Sequence, residues 1–559
     1  MKRFLILTIL LSVVFTSTRA VPAQPGVWRT MTLHDNSVVE VQLVGDECLH
    51  YWQAADGRMF DDYGQALNHW DLQQRLLSSN KRRMSAARRQ GIRREGIHRE
   101  STSTIPIRNY EGEKRGLIIL VAFQNKAFCD GHDQALYDRI ANEKGFASSD
   151  GFRGSVHDYF LDQSRGLFDL TFDVVGPVLM PNDYGYYGEN GGPYDFDLHP
   201  GEMVVTACQA IVDEVNFRDY DWDGNGEVDQ VMIIYAGRGE ASGGGANTVW
   251  PHEWCLTEAE GAPLELDGVR IDTYACSCEM RSDSSIDGIG TTCHEFSHCL
   301  GLPDMYDIDY GGNFGMGSYS LMDHGSYNGN SFLPAGYTSF ERMCCGWLTP
   351  TVLTDNMEVA NMKALSDGGE AYILYNDAWP DEFYLLENRQ ETGWDQKIPE
   401  SGMLILHVDY DETVWYYNLV NTAADYSDKE GYGPGAVNDH ERCTIFHADG
   451  YDYGFWASPY PYYSNNSLTP DSQPAAILYH PNSQGKTFMS VPILDITQNS
   501  NGIMSFHTGE ATGIAEMRDG ENERRRGEDA WYSLDGRRVH AQGTMPGRVY
   551  IYKGKKVKR

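Results

Sequence analysis

The sequence predicts an α+β fold divided into several units, and three observations carry that expectation. The chain has 559 residues, more than one hydrophobic core fills. Between about 110 and 350, continuous apolar runs of strand length alternate with stretches of helical spacing. Beyond 350 the texture changes to short β-type segments broken by Gly, Pro, Asn and Asp. Composition narrows the classes further. With 34 Tyr, 21 Phe and 12 Trp there is ample surface to bury, which excludes a disordered polyelectrolyte. The balance of 45 Lys+Arg against 80 Asp+Glu, a net charge of -35, repels phosphate backbones and excludes nucleic acid as a partner.

Taken in order, the first element is a leader. Lys2 and Arg3 precede an apolar run from Phe4 to Phe15, and small residues follow to Ala20 and Ala23. This is the layout of a secretory signal peptide over 1–20, with cuts available after Ala20 or Ala23. The run is shorter than the roughly 20 residues that cross a bilayer, and no later stretch reaches that length. The expected location is therefore secreted or cell-surface, with no membrane-spanning segment in the mature chain. Residues 21–110 read as a propeptide with a basic linker. Alternation such as Val39-Glu40-Val41-Gln42-Leu43-Val44 marks a small β-rich unit to about 80. Residues 81–99 then carry eight basic residues against one acid, a site suited to trypsin-like processing. The eleven cysteines are odd in number and form no C-x-x-C pair, so neither a regular disulfide framework nor thiolate-held zinc is expected.

Residues 111–350 form the catalytic candidate. Gly116 to Val121 and Val231 to Tyr235 have the unbroken apolar character of buried strands; Ser155 to Arg165 and Met203 to Val215 have helical spacing. Residues 351–510 are a β-rich C-terminal domain. A charged spacer opens 511–559, and Trp531 to Val539 and Val549 to Val557 end it with strand-like segments separated by turn signals.

Chemistry concentrates at His294-Glu295-Phe296-Ser297-His298, an H-E-x-x-H sequence. On a helix, positions i and i+4 share a face, so both imidazoles reach one Zn²⁺, and Glu295 is offset to act as general base. Gly301 ends the helix in a left-handed turn and Pro303 stops it resuming, so the chain doubles back and brings Asp304 round as a third ligand. Asp307, three residues on, is the competing choice, and spacing does not decide between them. Met322, in Ser320-Leu321-Met322-Asp323-His324-Gly325, lies where a Met-turn would underlie the metal.

These residues resemble the M6 family of secreted metallopeptidases, the immune inhibitor A type. The resemblance extends through Gly154-Ser155-Val156 with Tyr159-Phe160, Phe172 to Pro177, Trp250-Pro251-His252 and Gly346 to Pro350. It continues through Leu386-Glu387-Asn388-Arg389, Gly393-Trp394-Asp395 and Gly402 to Ile405, covering about 110 to 510. It implies a zincin/metzincin-like catalytic domain followed by a β-sandwich-like domain. It also implies zinc on His294, His298 and Asp304, Glu295 as general base, and protein or peptide substrates. The tail is similar to the C-terminal sorting signal of type IX secretion in Bacteroidetes-type bacteria, with Arg548 as an extra residue, which implies a secretion machinery as partner.

Two further sites follow from local pattern. Asp221, Asp223, Asn225 and Asp229, with Gly226 at position 6, fit an EF-hand-like Ca²⁺ loop, although position 12 is Met232. Latency would come from the upstream unit, with Cys48 or Asp46 offering a group to the metal. The competing readings are a surface adhesin or binding module on an inactive protease scaffold, and a zinc hydrolase that acts on other bonds.

Overall fold

The computed structural model describes residues 19–76, 105–191, 196–425, 437–451 and 456–509, and the backbone of four short strands between 531 and 558. The leader up to residue 18 and the basic segment 81–99 lie outside the described residues. No helix among the described residues is long and apolar enough to cross a membrane.

The apolar run around Leu117 lies in strand Gly112–Ala122, one strand in from the edge of a seven-stranded mixed sheet. Its neighbours Phe168–Leu179 and Val231–Arg238 run parallel to it, and Thr273–Ser282 runs parallel to Val231–Arg238. Parallel strands are covered on both faces, which is why the run does not alternate. Ile118 and Leu120 face one core with Tyr159, Phe160 and Phe296, whereas Leu117, Ile119 and Val121 face another with Met203, Val204 and Ala207. Strand His252–Cys255 pairs antiparallel on Thr273–Ser282, and its outer edge is covered by the two residues Arg19–Ala20.

Helix Val156–Gln163 begins where Ser155 caps it. The Ser155 hydroxyl accepts from the Asp158 amide at 3.1 Å and the Asp158 carboxylate accepts from the Ser155 amide at 3.0 Å. The helix expected over Met203 to Val215 runs instead from Pro200 to Ala210. Proline is suited to a first helical turn, having no amide hydrogen to lose, so it opens the helix three residues early.

Upstream, five short antiparallel strands in chain order, Trp28–Thr32 to Ala66–Leu67, make the N-terminal unit. Its core residues Val41, Leu43, Trp52 and Phe60 pack in one cluster with Ala241 and Trp250 of the central region. Downstream, strands Tyr372–Asn376, Trp379–Arg389 and Gly402–Asp409 lie in a five-stranded sheet with two faces of opposite allegiance. Phe383, Leu385, Leu404 and Leu406 enter the core that holds Phe296, whereas Tyr384, Leu386, Met403 and Ile405 pack with Ile493, Met504 and Phe506 of a three-stranded sheet. The tail backbone forms four antiparallel strands between Trp531 and Lys558. All eleven cysteines are free thiols, eight of them buried.

Candidate metal centre

Helix Gly290–Cys299 carries the H-E-x-x-H residues, all buried. It ends because Gly301 takes φ +89°, a conformation that strains any other residue, and the Gly301 amide closes on the His298 carbonyl at 2.7 Å. A Cβ at Gly301 would also overlap the guanidinium of Arg108, which donates to the Leu300 carbonyl at 3.0 Å. The chain then returns past Pro303 and brings Asp304 against the helix.

Each imidazole is held by its Nδ1. His294 donates to the Leu321 carbonyl and His298 to the Leu302 carbonyl, both at 2.8 Å. A carbonyl only accepts, so these nitrogens carry protons and Nε2 is the atom each ring can offer as a lone-pair donor. Burial, followed by the neighbouring His294 and Arg19, outweighs Asp304 and brings His298 down to about 4, so it is neutral at ordinary pH. The two Nε2 atoms are 3.1 Å apart and lie 3.2 and 3.3 Å from Asp304 Oδ1. Two imidazole nitrogens and a carboxylate oxygen converging on one point is an arrangement that suits a cation. A tetrahedral Zn²⁺ with bonds of about 2.0–2.1 Å separates its ligands by about 3.3 Å, and the triangle fits that ion.

Asp304 is fixed from far along the chain. Asn418 accepts from the Asp304 amide at 2.7 Å through Oδ1 and donates to Asp304 Oδ2 at 2.7 Å through Nδ2, leaving Oδ1 to face the imidazoles. Asp307 faces elsewhere, with its carboxylate accepting from the amides of Asp309 and Asn313 at 3.3 and 3.0 Å. Met322 is buried beneath the site. Its carbonyl accepts from the Met305 amide at 2.8 Å, so the turn Leu321-Met322 holds both His294 and the returning chain. Partners that orient metal ligands typically contribute 10–100-fold to metal affinity. Asn418→Ala is therefore expected to weaken zinc binding by about that factor while His294 and His298 stay in place, read by competition with a chromophoric chelator. Wild-type affinity in the variant would overturn that role.

Glu295 is covered by the N-terminal segment. Its Oε1 accepts from the Val21 amide at 2.9 Å, and burial, with Asp304, Glu47 and Glu253 nearby, pushes its carboxyl well above the usual range. Arg19 donates to the carbonyls of His298 and Leu302 at 3.2 and 3.1 Å. Tyr306 donates to the Ala20 carbonyl at 2.8 Å and stands 3.2 Å from Asp46 Oδ2. Asp46 Oδ1 accepts from the amides of Cys48 and Leu49 at 2.9 Å each, and Cys48 Sγ donates to Glu47 Oε1 at 2.8 Å. His50 lies 3.3 Å from Asp62 and 3.8 Å from Glu240 of the central region. Burial alone would lower it, but those carboxylates carry it up to about 10, so it docks the N-terminal unit as a cation.

The Asp221 loop is tightly wound. Asp221 accepts from the amides of Gly224, Asn225 and Gly226 at 2.9, 3.1 and 2.9 Å, and Asp229 Oδ2 accepts from the Trp222 amide at 2.6 Å. Oxygens of Asp221, Asp223 and Asp229 lie within 4.8 Å of one another. Asn225 Oδ1 accepts from the Glu227 amide at 2.8 Å, and Met232 at position 12 is buried in strand Val231–Arg238.

Asn418, Tyr306 and Tyr327 belong to this site although no local pattern marks them, and Trp250, marked only as part of the family resemblance, joins them. They reach it through the fold, and the last two hold the N-terminal segment: Trp250 Nε1 donates to the Val21 carbonyl at 3.0 Å and the Tyr327 hydroxyl to the Pro22 carbonyl at 2.6 Å.

Residues 119–347 match the family model described as immune inhibitor A peptidase M6, catalytic domain. The chain is 28% identical over 258 residues to the pre-pro-metalloprotease PrtV of Vibrio cholerae serotype O1, an alignment covering 39% of this chain and 28% of that protein. It is also 28% identical over 241 residues to immune inhibitor A of Bacillus thuringiensis subsp. alesti, covering 37% of this chain and 35% of that protein. The chain thus spans about a third of the length of these curated relatives.

Proposed function

We propose that this chain is a zinc-dependent endopeptidase, exported through its leader and kept latent by its N-terminal unit. The observation that carries the reading is the buried triangle of His294 Nε2, His298 Nε2 and Asp304 Oδ1 beside Glu295, a donor set that fits zinc and a carboxylate that fits a general base. The match of residues 119–347 to a peptidase catalytic domain supports it.

Zinc held by those three residues would polarise a peptide carbonyl and lower the pKa of a water it binds. Glu295 takes the proton of the attacking water and passes it to the amine nitrogen as the C–N bond breaks. Asn418 keeps Asp304 oriented, and the carbonyls of Leu321 and Leu302 keep the imidazoles in one tautomer. Latency is supported by the place of Val21, which stays in the chain after a cut following Ala20 and whose amide occupies one carboxylate oxygen of the buried Glu295. The Asp221, Asp223, Asn225 and Asp229 loop is read as a Ca²⁺ site that stiffens the turn ahead of strand Val231–Arg238, and the tail as a sorting signal for export.

The test is a casein assay on the full-length protein before and after limited trypsin cleavage in 81–99. Cleavage should raise activity, a zinc chelator should abolish it, and metal analysis should read one zinc and one calcium per chain. Tight binding of a protein partner with no chelator-sensitive hydrolysis would overturn the reading in favour of an adhesin on an inactive scaffold.

A further inference from the structure

Residues 19–23 run beside Glu295, and the first two form an added strand. Arg19–Ala20 pairs antiparallel on the edge strand His252–Cys255, in the register Arg19 to Glu253 and Ala20 to His252. Extended peptides commonly add to an exposed sheet edge in this way, with main-chain groups supplying the affinity. The backbone beyond the pair is read by side chains. Tyr306 donates to the Ala20 carbonyl at 2.8 Å, Val21 donates to Glu295 at 2.9 Å, Trp250 donates to the Val21 carbonyl at 3.0 Å and Tyr327 donates to the Pro22 carbonyl at 2.6 Å. These four contacts engage only the backbone of the segment, and the side chain that adds to them is that of Arg19, which donates to the carbonyls of His298 and Leu302.

One peptide unit in this segment meets both ends of the chemistry. In Ala20–Val21 the nitrogen faces Glu295 and the carbonyl oxygen faces Tyr306. During hydrolysis these are the two atoms with opposite needs. The nitrogen must gain a proton before the C–N bond breaks, and the oxygen gains negative charge as water adds to its carbon. The base that carries the proton already faces the first, and a hydroxyl donor already faces the second.

We propose, on the basis of the peptidase reading above, that Tyr306 is a catalytic residue. Its hydroxyl donates a hydrogen bond to the carbonyl oxygen of the bond being cut in a substrate lying antiparallel on His252–Cys255. The oxygen of water bonds to the carbonyl carbon, Glu295 takes the water proton, the C–N bond breaks, and that proton leaves on the amine. Tyr306 keeps its own proton throughout and acts only by donation. Its placement is rigid: the ring is buried on the returning chain two residues after Asp304, and Tyr310 packs against it with ring centroids 6.0 Å apart. In the covered state the hydroxyl is shared between Ala20 and Asp46; the leader cut after Ala20 releases the first partner and undocking the N-terminal unit the second, which frees the hydroxyl for substrate.

The test compares wild type, Tyr306→Phe and Glu295→Gln as full-length proteins opened by limited trypsin cleavage in 81–99. Removing one oxyanion donor typically costs about 10²–10³ in kcat, so Tyr306→Phe should lose about 10²-fold in kcat with KM changed by less than about threefold. Zinc content should equal that of wild type. As a readout independent of turnover, a phosphinic analogue of the peptide Arg19 to Ala23, tetrahedral and anionic at the reacting position, should bind the variant at least about tenfold more weakly by calorimetry. Unchanged kcat, a loss confined to KM, or undiminished phosphinate binding would overturn the assignment while leaving the peptidase reading intact. If opened wild type hydrolyses no peptide at all, the peptidase reading falls and the assignment falls with it.

Discussion

Glu295→Gln is expected to retain zinc and the fold while losing about 10²–10⁴-fold of peptide hydrolysis, the span that general acid–base catalysis contributes. The argument rests on what the substitution keeps. Glutamine has the same shape, and its amide oxygen still accepts from Val21, so the covered form should persist. The triangle of His294, His298 and Asp304 is untouched, because its orientation comes from the carbonyls of Leu321 and Leu302 and from Asn418. What disappears is the carboxylate beside the triangle that the proposed mechanism uses to take a proton from water and return it to the leaving amine. The decisive measurement is turnover on casein alongside metal content for the opened enzyme. Full activity with full zinc would remove Glu295 from the mechanism.

The second large effect concerns stability. Arg389 is wholly buried and binds Asp395 through Nε at 2.8 Å and Nη2 at 2.5 Å, and Glu387 through Nη1 at 3.0 Å. It also donates to the carbonyls of Tyr319 and Gly336 at 2.9 and 3.0 Å. Burial works against its charge, but Asp395 and Glu387 more than offset this and hold the guanidinium above its ordinary pKa. Removing one partner of such a set leaves uncompensated buried carboxylates, which costs about 3–5 kcal/mol. Arg389→Ala is expected to destabilise by about that amount in urea unfolding, because Glu387 and Asp395 remain with nowhere to go. Glu387 has a second duty, accepting from the amide and hydroxyl of Ser339 at 2.6 and 2.5 Å where helix Ser339–Cys344 begins. A loss below about 1 kcal/mol would show that the carboxylates find other partners.

How much of this is legible in the sequence depends on whether the cause is local. The run around Leu117 specifies a strand covered on both faces, and Ser155 with Asp158 specifies where a helix starts, because both causes act within a few residues. The helix over His294 and its stop at Gly301 are legible for the same reason. Spacing did not separate Asp304 from Asp307; their positions differ because Asn418, more than a hundred residues later, engages Asp304 alone. Tyr306 is an ordinary core aromatic in the sequence and Trp250 only part of a family motif, and the presence of residues 20 and 21 beside them gives them a role. The double allegiance of strand Trp379–Arg389 fits its unbroken apolar run Phe383 to Leu386, but which face meets which core is a property of the assembled sheet.

That double allegiance, with the reach of Asn418, bears on how the gene can be cut. The segment that matches the peptidase family ends at 347, yet the side chain that steadies the third candidate ligand enters from residue 418. A fragment ending near 350 would expose the floor of its own core where Phe383, Leu385 and Leu404 had been, and would lose Asn418 from Asp304. The unit that folds is therefore larger than the unit that sequence comparison recognises. Grafting the peptidase segment alone into another gene would transfer the ligands but leave behind the residue that aims one of them.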